Sequence, residues 1–242
     1  LQQIVTGWPG GKPPKEWRDG DIDRPDNEVF PKRVLIFSPH PDDDVISMGG
    51  TLQRLVDQGH DVHVAYQTSG NIAVFDSEAL RFADFACEFN RLFGFPIDDV
   101  NAIEDRIRAA LKRKQPGEVD AEEVQSIKGL IRRIEATDAG RSCGLPESKL
   151  HFLDMPFYET GRVRKKPLGQ EDVDIVANLL REVEPHQVYA AGDLSDPHGT
   201  HRTCLAAVFE AMSVVENDAW AKECVLWLYR GAWQEWSIEQ MD

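Results

Sequence analysis

Residues 38–44 read Ser-Pro-His-Pro-Asp-Asp-Asp and place one histidine beside three consecutive carboxylates. If this segment is partly buried, the like charges repel one another, and a bound cation is the simplest compensation. A second polar segment, residues 193–202, contains His198 and His201, whose spacing of three puts them on one face of a helix. Two histidines and one carboxylate, with positions left open for water and substrate, are typical of a catalytic metal site.

Each polar segment alone has a simpler interpretation. The first can be an aspartate-rich turn whose carboxylates cap a helix, and an isolated His-x-x-His pair is more often a surface or capping feature. The two segments, however, each follow an apolar run of the kind that forms a buried strand. Their joint occurrence at two strand ends favours the metal site.

The chain alternates short apolar runs with helical patterns. Strands are predicted at 33–37, 61–66, 149–153, 186–191 and 223–229, and helices at 51–58, 77–93, 98–114, 119–138, 170–183 and 200–215. Such alternation predicts an α/β fold with a doubly wound, mostly parallel, Rossmann-like sheet and helices on both faces. Ligands in these folds bind beyond the carboxyl ends of the strands, where both polar segments fall.

Composition excludes several classes of function. The 242 residues carry a formal net charge of -15, which disfavours the basic face that a nucleic acid requires. The four cysteines form no CxxC pair, so a zinc-finger or thioredoxin-like site is not expected. No apolar run approaches ~18 residues and no signal-peptide pattern is present, which predicts a cytoplasmic protein without a membrane partner.

The predicted organisation is one catalytic domain preceded by a linker. Residues 1–31 are rich in glycine, proline and charge and are interpreted as an extended lead-in, and residues 32–242 as the catalytic domain. The chain begins at Leu1 rather than at a methionine, and both ends have the character of cut edges of a larger protein.

Further features accompany the two polar segments. They are Gly-Gly at 49–50, Thr-Ser-Gly at 68–70 after the second predicted strand, and Arg-Arg-Ile-Glu-Ala at 132–136 in the helix before the third. With the Pro-His-Pro-Asp-Asp string and the late His-x-x-His, they make residues 33–230 resemble the LmbE/PIG-L family of metal-dependent deacetylases.

The resemblance assigns roles position by position. It implies that His40, Asp43 and His201 are the metal ligands and that Asp42 is the general base. It also implies that His198 stabilises the tetrahedral oxyanion and assists the leaving amine. These roles agree with elementary chemistry, since a carboxylate beside a metal can take a proton from water and a histidine can offset charge on oxygen.

Two positions depart from the family pattern. Asp44 stands where a glutamate commonly follows the double aspartate, and a supporting or capping role is expected for it. Asn71 stands where an acidic residue often follows the glycine after strand two, near the substrate, which affects substrate preference more than catalysis. The helical stretch 77–128 is interpreted as an insertion that forms a lid or an interdomain surface.

Other polar residues are weaker candidates. Arg132 and Arg133 are predicted to bind a substrate hydroxyl or phosphate, and a surface salt bridge with Glu135 or Glu182 is an equal alternative. Asp193 is expected to orient a ligand histidine or to lie near the substrate.

The leading hypothesis is removal of an N-acyl group, typically acetyl, from an amino sugar or its conjugate. The resemblance implies this substrate class and extends to a phosphorylated sugar and a fused glucosamine-6-phosphate deaminase-like domain. A homo-oligomer is a separate expectation, and the sequence leaves the oligomeric state open. Zn²⁺ suits the ligand set, and Fe²⁺ is the alternative. Rival hypotheses are another metal-dependent amidase, such as a thiol-conjugate amidase, and a non-catalytic sugar- or metal-binding module. A nucleotide-binding oxidoreductase is disfavoured because no GxGxxG follows the first strand.

Overall fold

A parallel five-stranded sheet lies at the centre of the computed structural model, which describes residues 30–162, 164–193 and 195–231. The strands are β1 (Arg33–Ser38), β2 (Asp61–Tyr66), β3 (Leu150–Phe152), β4 (Gln187–Ala191) and β5 (Val225–Tyr229). Their order across the sheet is β3-β2-β1-β4-β5. The central strands β1 and β4 are almost fully buried, because helices cover both faces of a parallel sheet.

Six α-helices connect and cover these strands. They are α1 (Asp43–Asp57), α2 (Asp76–Phe93), α3 (Asp98–Arg113), α4 (Glu122–Ser142), α5 (Gln170–Val183) and α6 (Thr200–Val215). Apolar residues of α5 and α6 pack on one face of the sheet, and those of α1 with part of α4 pack on the other. The predicted doubly wound α/β fold is therefore confirmed.

The start of the first helix differs from the sequence prediction. The sequence pattern predicts a helix at 51–58, but α1 begins eight residues earlier, at Asp43. Asp43 and Asp44 lie in its first turn, where the positive end of the helix dipole favours carboxylates. Non-helical angles at Met48 bend the helix just before Gly49 and Gly50, the feature that weakened its pattern in the sequence. The acidic string is therefore the start of a helix rather than a turn before one.

The remaining boundaries differ by a few residues. The helix predicted at 119–138 is α4, which runs from Glu122 to Ser142, and the short strand β3 occupies only part of 149–153. Most of the predicted lead-in 1–31 lies outside the described residues, as do residues 232–242. The four cysteines are free thiols, and no described helix is long and apolar enough to cross a membrane.

The strand order brings the two polar segments together. The chain runs from β1 outward to β2 and β3, and then returns to place β4 on the other side of β1. Leu35 pairs with Val188 and Ile36 with Tyr189, so the loops after β1 and β4 leave the sheet side by side. This reversal point is where ligands bind in doubly wound sheets.

An ion cluster ties α2 and α3 to α4. Lys128 on α4 is 3% exposed, and its Nζ lies 2.6 Å from Asp76 and 2.8 Å from Asp120. Lys114, just after α3, reaches the same two carboxylates at 3.0 and 2.6 Å. The two positive and two negative groups compensate each other's desolvation, so the cluster fixes the helical segment next to the sheet edge.

Candidate metal centre

Three ligand-type atoms converge beyond the ends of β1 and β4. His40 lies in the loop after β1, Asp43 is the first residue of α1, and His201 is the second residue of α6. His40 Nδ1 lies 3.2 Å from His201 Nε2, and Asp43 Oδ2 lies 3.3 Å from each of these nitrogens. The backbone N–H of His40 also donates to Asp43 Oδ2 at 3.0 Å, which holds the loop and the helix start together.

This triangle fits a divalent ion. Nitrogen and oxygen ligands lie ~2.0–2.2 Å from Zn²⁺ in a tetrahedral arrangement, which separates the ligand atoms from one another by roughly 3.3 Å. The three observed separations agree with that spacing. Among the described residues, no other group of three His, Cys, Asp or Glu side chains has ligand atoms that all lie within 4.8 Å of one another. The donor set therefore fits a metal with at least one open coordination position.

The electrostatics of the triangle favour the ionised carboxylate. Burial alone would raise the pKa of Asp43, but hydrogen bonds from His201 and His40 lower it well below its usual range. Burial alone would lower the pKa of His201, yet its hydrogen bond and charge interaction with Asp43 raise it. The Asp43 carboxylate thus favours positive charge at the centre of the triangle.

Two carboxylates support the ligand histidine. Asp193, fully buried after β4, has its Oδ2 3.4 Å from Nδ1 of His201, the ring nitrogen that faces away from the triangle. Asp196 accepts hydrogen bonds from the backbone N–H groups of His198 and His201, both at 2.9 Å. Asp196 thereby satisfies N–H groups at the start of α6, and Asp193 aims the His201 ring.

Replacing Asp193 with asparagine should weaken metal binding. The amide removes the negative charge behind His201, and loss of such a partner typically lowers metal affinity about 10- to 100-fold. Competition with a chromophoric chelator measures the change, with Asp174→Asn on the exposed side of α5 as the matched control. Equal affinity in both variants would show that Asp193 does not support the ligand.

Asp42 lies beside the triangle but outside it. Its Oδ2 accepts a hydrogen bond from Arg132 at 2.9 Å, and Arg132 also donates to the backbone oxygen of Pro41 at 2.5 Å. Arg132 reaches Glu135 as well, at 3.0 Å, so the predicted salt bridge exists in addition to the contact with the site. The guanidinium therefore fixes the direction of a carboxylate that is 40% exposed to the cavity.

A cavity of about 410 Å³, here called the metal pocket, opens above the three ligand-type atoms. Asp42 and Arg132 line it on one side, and His198, Tyr158 and Lys165 line it elsewhere. The Lys165 ammonium lies 3.7 Å from the centre of the Tyr158 ring, and burial lowers the pKa of Lys165 to about 8. Sequence reasoning missed Lys165, although a basic run at 162–166 in so acidic a chain was an available signal.

Two residues that were predicted to contact the substrate do not line the metal pocket. Asn71 and Arg133 line a neighbouring cavity of about 440 Å³, here called the second pocket, between the first half of α4 and the loops after β2 and β3. Consecutive residues of a helix point about 100° apart, which explains why Arg132 and Arg133 face different cavities. Arg133 pairs with Asp154 at 2.8 Å rather than with Glu135 or Glu182.

Asp44 is buried and hydrogen-bonded to side chains of the sheet. It is 1% exposed, accepts a hydrogen bond from the Tyr66 hydroxyl at 3.0 Å, and accepts another from the Ser38 hydroxyl at 3.3 Å. Burial raises the pKa of Asp44 to about 6. Its carboxyl group thus fastens α1 to β1 and β2 beneath the ligands, as the expected supporting role requires.

Comparison with known proteins gives the family. Residues 35–212 match the model of the PIG-L family, described as GlcNAc-PI de-N-acetylase, over more than half of the chain. The chain belongs to the PIG-L family. The match thus covers most of β1, all of β4 and all three ligand-type residues.

Individual relatives of this PIG-L domain differ in length. A Bacteroides thetaiotaomicron protein described as glucosamine-6-phosphate deaminase-like is 54% identical over 246 residues, which cover 100% of this chain but 36% of that protein. A Bacillus cereus protein named as a probable N-acetyl-alpha-D-glucosaminyl L-malate deacetylase 2 is 25% identical over 82% of this chain and 98% of its own length. The chain thus spans about a third of the first relative and nearly all of the second.

A solved structure shares the fold of this PIG-L domain. The N,N'-diacetylchitobiose deacetylase of Pyrococcus horikoshii superimposes with a TM-score of 0.51 and 21% identity. The match covers 82% of this chain and 60% of the other. At this identity the likeness supports the architecture, and functional arguments depend on the site itself.

Proposed function

We propose that this chain is a metal-dependent hydrolase that removes the N-acetyl group of an amino sugar or amino-sugar conjugate. The observation that carries the proposal is the triangle of His40, Asp43 and His201 beneath an open pocket that Asp42 and His198 line. Membership of the PIG-L family supports the same reaction class, and relatives carry names of deacetylases acting on N-acetylglucosamine compounds. Zn²⁺ is the proposed ion, and Fe²⁺ uses the same donors.

His40, Asp43 and His201 would hold the cation, and all three side chains line the metal pocket. When bound, such a cation lowers the pKa of water towards ~7 and polarises an amide carbonyl. Asp43 brings the negative charge of the set, and Asp193 keeps the imidazole of His201 turned toward the triangle. The protein thereby supplies a fixed and mostly buried frame on one side of the substrate amide.

Asp42 and His198 act on the protons of the reaction. The Asp42 carboxylate, held by Arg132, takes the proton from the attacking water as general base. An N–H of His198 donates to the carbonyl oxygen as negative charge develops there. As the C–N bond breaks, Asp42 passes the proton that it took from water to the leaving nitrogen, and His198 assists the departure of the amine through its hydrogen bond, so the products are acetate and the free amino sugar.

The proposal is tested by loading the purified protein with Zn²⁺ or, without oxygen, with Fe²⁺. Acetate release is then measured from N-acetylglucosamine, its 6-phosphate and N,N'-diacetylchitobiose, with a thiol-conjugate amide as the rival substrate. Chelation should remove the activity, and re-addition of the ion should restore it. Failure of the protein to bind a divalent ion stoichiometrically would refute the proposal.

Lys165 is proposed to recognise a phosphorylated or otherwise anionic part of the substrate. It is the lysine that lines the metal pocket, and its ammonium donates to the backbone oxygen of Arg162 at 3.1 Å rather than to a carboxylate. Lys165→Met should raise KM for N-acetylglucosamine 6-phosphate roughly tenfold or more and change KM for the unphosphorylated sugar little. Because burial lowers the pKa of Lys165 to about 8, its charge is lost above that pH. KM for the phosphate ester should therefore rise between about pH 7 and pH 9 in the protein that has Lys165, and this rise should be absent in Lys165→Met.

The steady-state pH series separates this role from a structural one. Lys222→Met, at an exposed position after α6, serves as the matched loss of a lysine charge. An identical change of KM for both sugars would count against phosphate recognition.

We also propose that the chain works within a longer amino-sugar enzyme. Its 54% identity to about a third of the deaminase-like Bacteroides protein supports this arrangement. Deacetylation yields the free amine that a deaminase consumes, so the two reactions are consecutive. A full-length protein containing this chain should convert N-acetylglucosamine 6-phosphate to acetate and ammonia. Release of ammonia without prior release of acetate would contradict that order.

A further inference from the structure

The second pocket is separate from the metal pocket. The two cavities share no lining residue: Pro41 lines the second pocket, whereas the adjacent Gly70 and the Arg132 side chain line the metal pocket. A Cβ atom at Gly70 would meet Pro41 Cδ at 3.0 Å and Arg132 Nε at 3.3 Å, so these three residues are tightly packed. With about 440 Å³, the second pocket falls within the ~300–1,000 Å³ range of small-molecule sites.

The second pocket contains a carboxylate, that of Glu159, which no basic side chain of the described residues contacts directly. Glu159 accepts hydrogen bonds from the backbone N–H and the hydroxyl of Ser69, both at 2.8 Å. Both donors are neutral, and no basic side chain in the described part of the chain lies within 4.0 Å of Glu159. Burial raises the pKa of Glu159, and the more distant charge of Lys165 lowers it only in part. A cation in the cavity could contact this carboxylate directly.

Asn71 adds a buried acceptor next to Glu159. It is 5% exposed, and its Oδ1 has no hydrogen-bond partner in the part of the chain that the structure describes. Its backbone N–H donates to the same Ser69 hydroxyl, at 3.3 Å, that donates to Glu159. An unsatisfied buried acceptor costs free energy, and a ligand that brings a donor removes this cost.

The one arginine that lines the second pocket is already paired. Arg133 donates to Asp154 at 2.8 Å, and its guanidinium lies 4.4 Å from the centre of the Phe152 ring. After this pairing, Glu122 and Glu159 leave the lining with a negative charge. The cavity therefore offers acceptors and negative charge, and a complementary ligand carries donors and positive charge.

We propose that the second pocket binds a small polyhydroxylated amine, such as an amino sugar whose amino group carries no acyl group. Its ammonium lies against Glu159, and its hydroxyl groups donate to Asn71 and Asp154. The site needs no metal ion and lies outside the pocket proposed for deacetylation. It recognises the chemical form of the sugar that deacetylation produces, so it can retain that form or sense its concentration.

Calorimetric titration of the metal-free protein with glucosamine, at a pH where the amine is protonated, tests the site. We expect saturable binding and the same Kd after Zn²⁺ loading. Glu159→Gln keeps the shape of the side chain and its contacts with Ser69, but removes the charge. It should weaken binding roughly ten- to hundredfold. Glu210→Gln, with the same change of charge on the exposed face of α6, should leave Kd unchanged.

Related ligands separate the contribution of the ammonium group from that of the hydroxyl groups. Glucose and N-acetylglucosamine lack the ammonium and should bind at least about tenfold more weakly to the metal-free protein. Butylamine lacks the hydroxyl groups and should also bind more weakly. Equal affinity for glucose, or binding that requires Zn²⁺, would overturn the proposal, because the ligand would then be neutral or would lie in the metal pocket.

A second variant protects the test against a folding defect in Glu159→Gln. Ser126 is exposed on α4 at the mouth of the second pocket, so Ser126→Phe obstructs the cavity without entering the core. This variant should lose glucosamine binding while its thermal unfolding midpoint stays unchanged. Full binding by Ser126→Phe would place the ligand elsewhere and refute the proposal. Because the readout is binding to metal-free protein, its failure is distinguishable from failure of the deacetylase function.

Discussion

Asp42→Asn should lower kcat for deacetylation by about 10²- to 10⁴-fold while metal content stays unchanged. This range is the usual contribution of a positioned general acid or base, and an amide cannot take the proton from water. The asparagine oxygen can still accept the hydrogen bond that Arg132 donates at 2.9 Å, so the loop geometry should persist. Steady-state kinetics with metal analysis of the same sample measures both quantities.

Asp174→Asn, on the exposed side of α5, is the matched control for Asp42→Asn and should keep full activity. The metal content of Asp42→Asn decides how a loss of activity is interpreted. If Asp42→Asn were inactive because its metal was lost, the carboxylate would be a ligand and the assignment of the base would be wrong. Full activity with bound metal would remove Asp42 from the mechanism.

Asp43→Asn should abolish metal binding under conditions that saturate the unmodified protein. The substitution removes the negative charge that lies 3.3 Å from both ligand imidazoles and replaces it with a weaker neutral donor. Affinity should fall by more than about 100-fold, the upper range for loss of an outer partner such as Asp193. Equilibrium dialysis against buffered Zn²⁺, followed by the acetate-release assay, measures the loss.

Asp44→Asn is an informative comparison for Asp43→Asn. Asp44 is the next residue and is also buried, but it bonds to Ser38 and Tyr66 rather than to the histidines. It should retain the metal and lose thermal stability instead. Retention of stoichiometric metal by Asp43→Asn would show that the triangle of side chains is not the binding site.

The sequence predicts the sheet well, and it places His40, Asp43 and His201 near one another, for a physical reason. Buried parallel strands are short apolar runs, and the three residues lie in the segments that follow two of them. The start of α1 is harder to predict, because the acidic residues that begin the helix also suit a turn, and Met48 and two glycines interrupt its pattern.

The lining of the pockets could not be predicted from residue types. Arg132 and Arg133 are identical in chemistry, yet one faces Asp42 and the other faces Asp154. Which of them reaches the metal pocket depends on the rotation of α4 about its axis, which tertiary packing sets. Lys165 and Glu159 lie in the connection after β3, whose path the periodicity of the sequence does not describe.

Because β1 pairs with β4, the proposed metal site exists only in the folded chain. His40 and His201 are 161 positions apart and meet at 3.2 Å only when these strands lie side by side. An ion that binds the native form and not the unfolded form stabilises it by about 4 kcal/mol when its free concentration exceeds Kd a thousandfold. With the proposed metal, the supply of the ion during growth should therefore change how much of this protein survives proteolysis, in addition to how much of it is active.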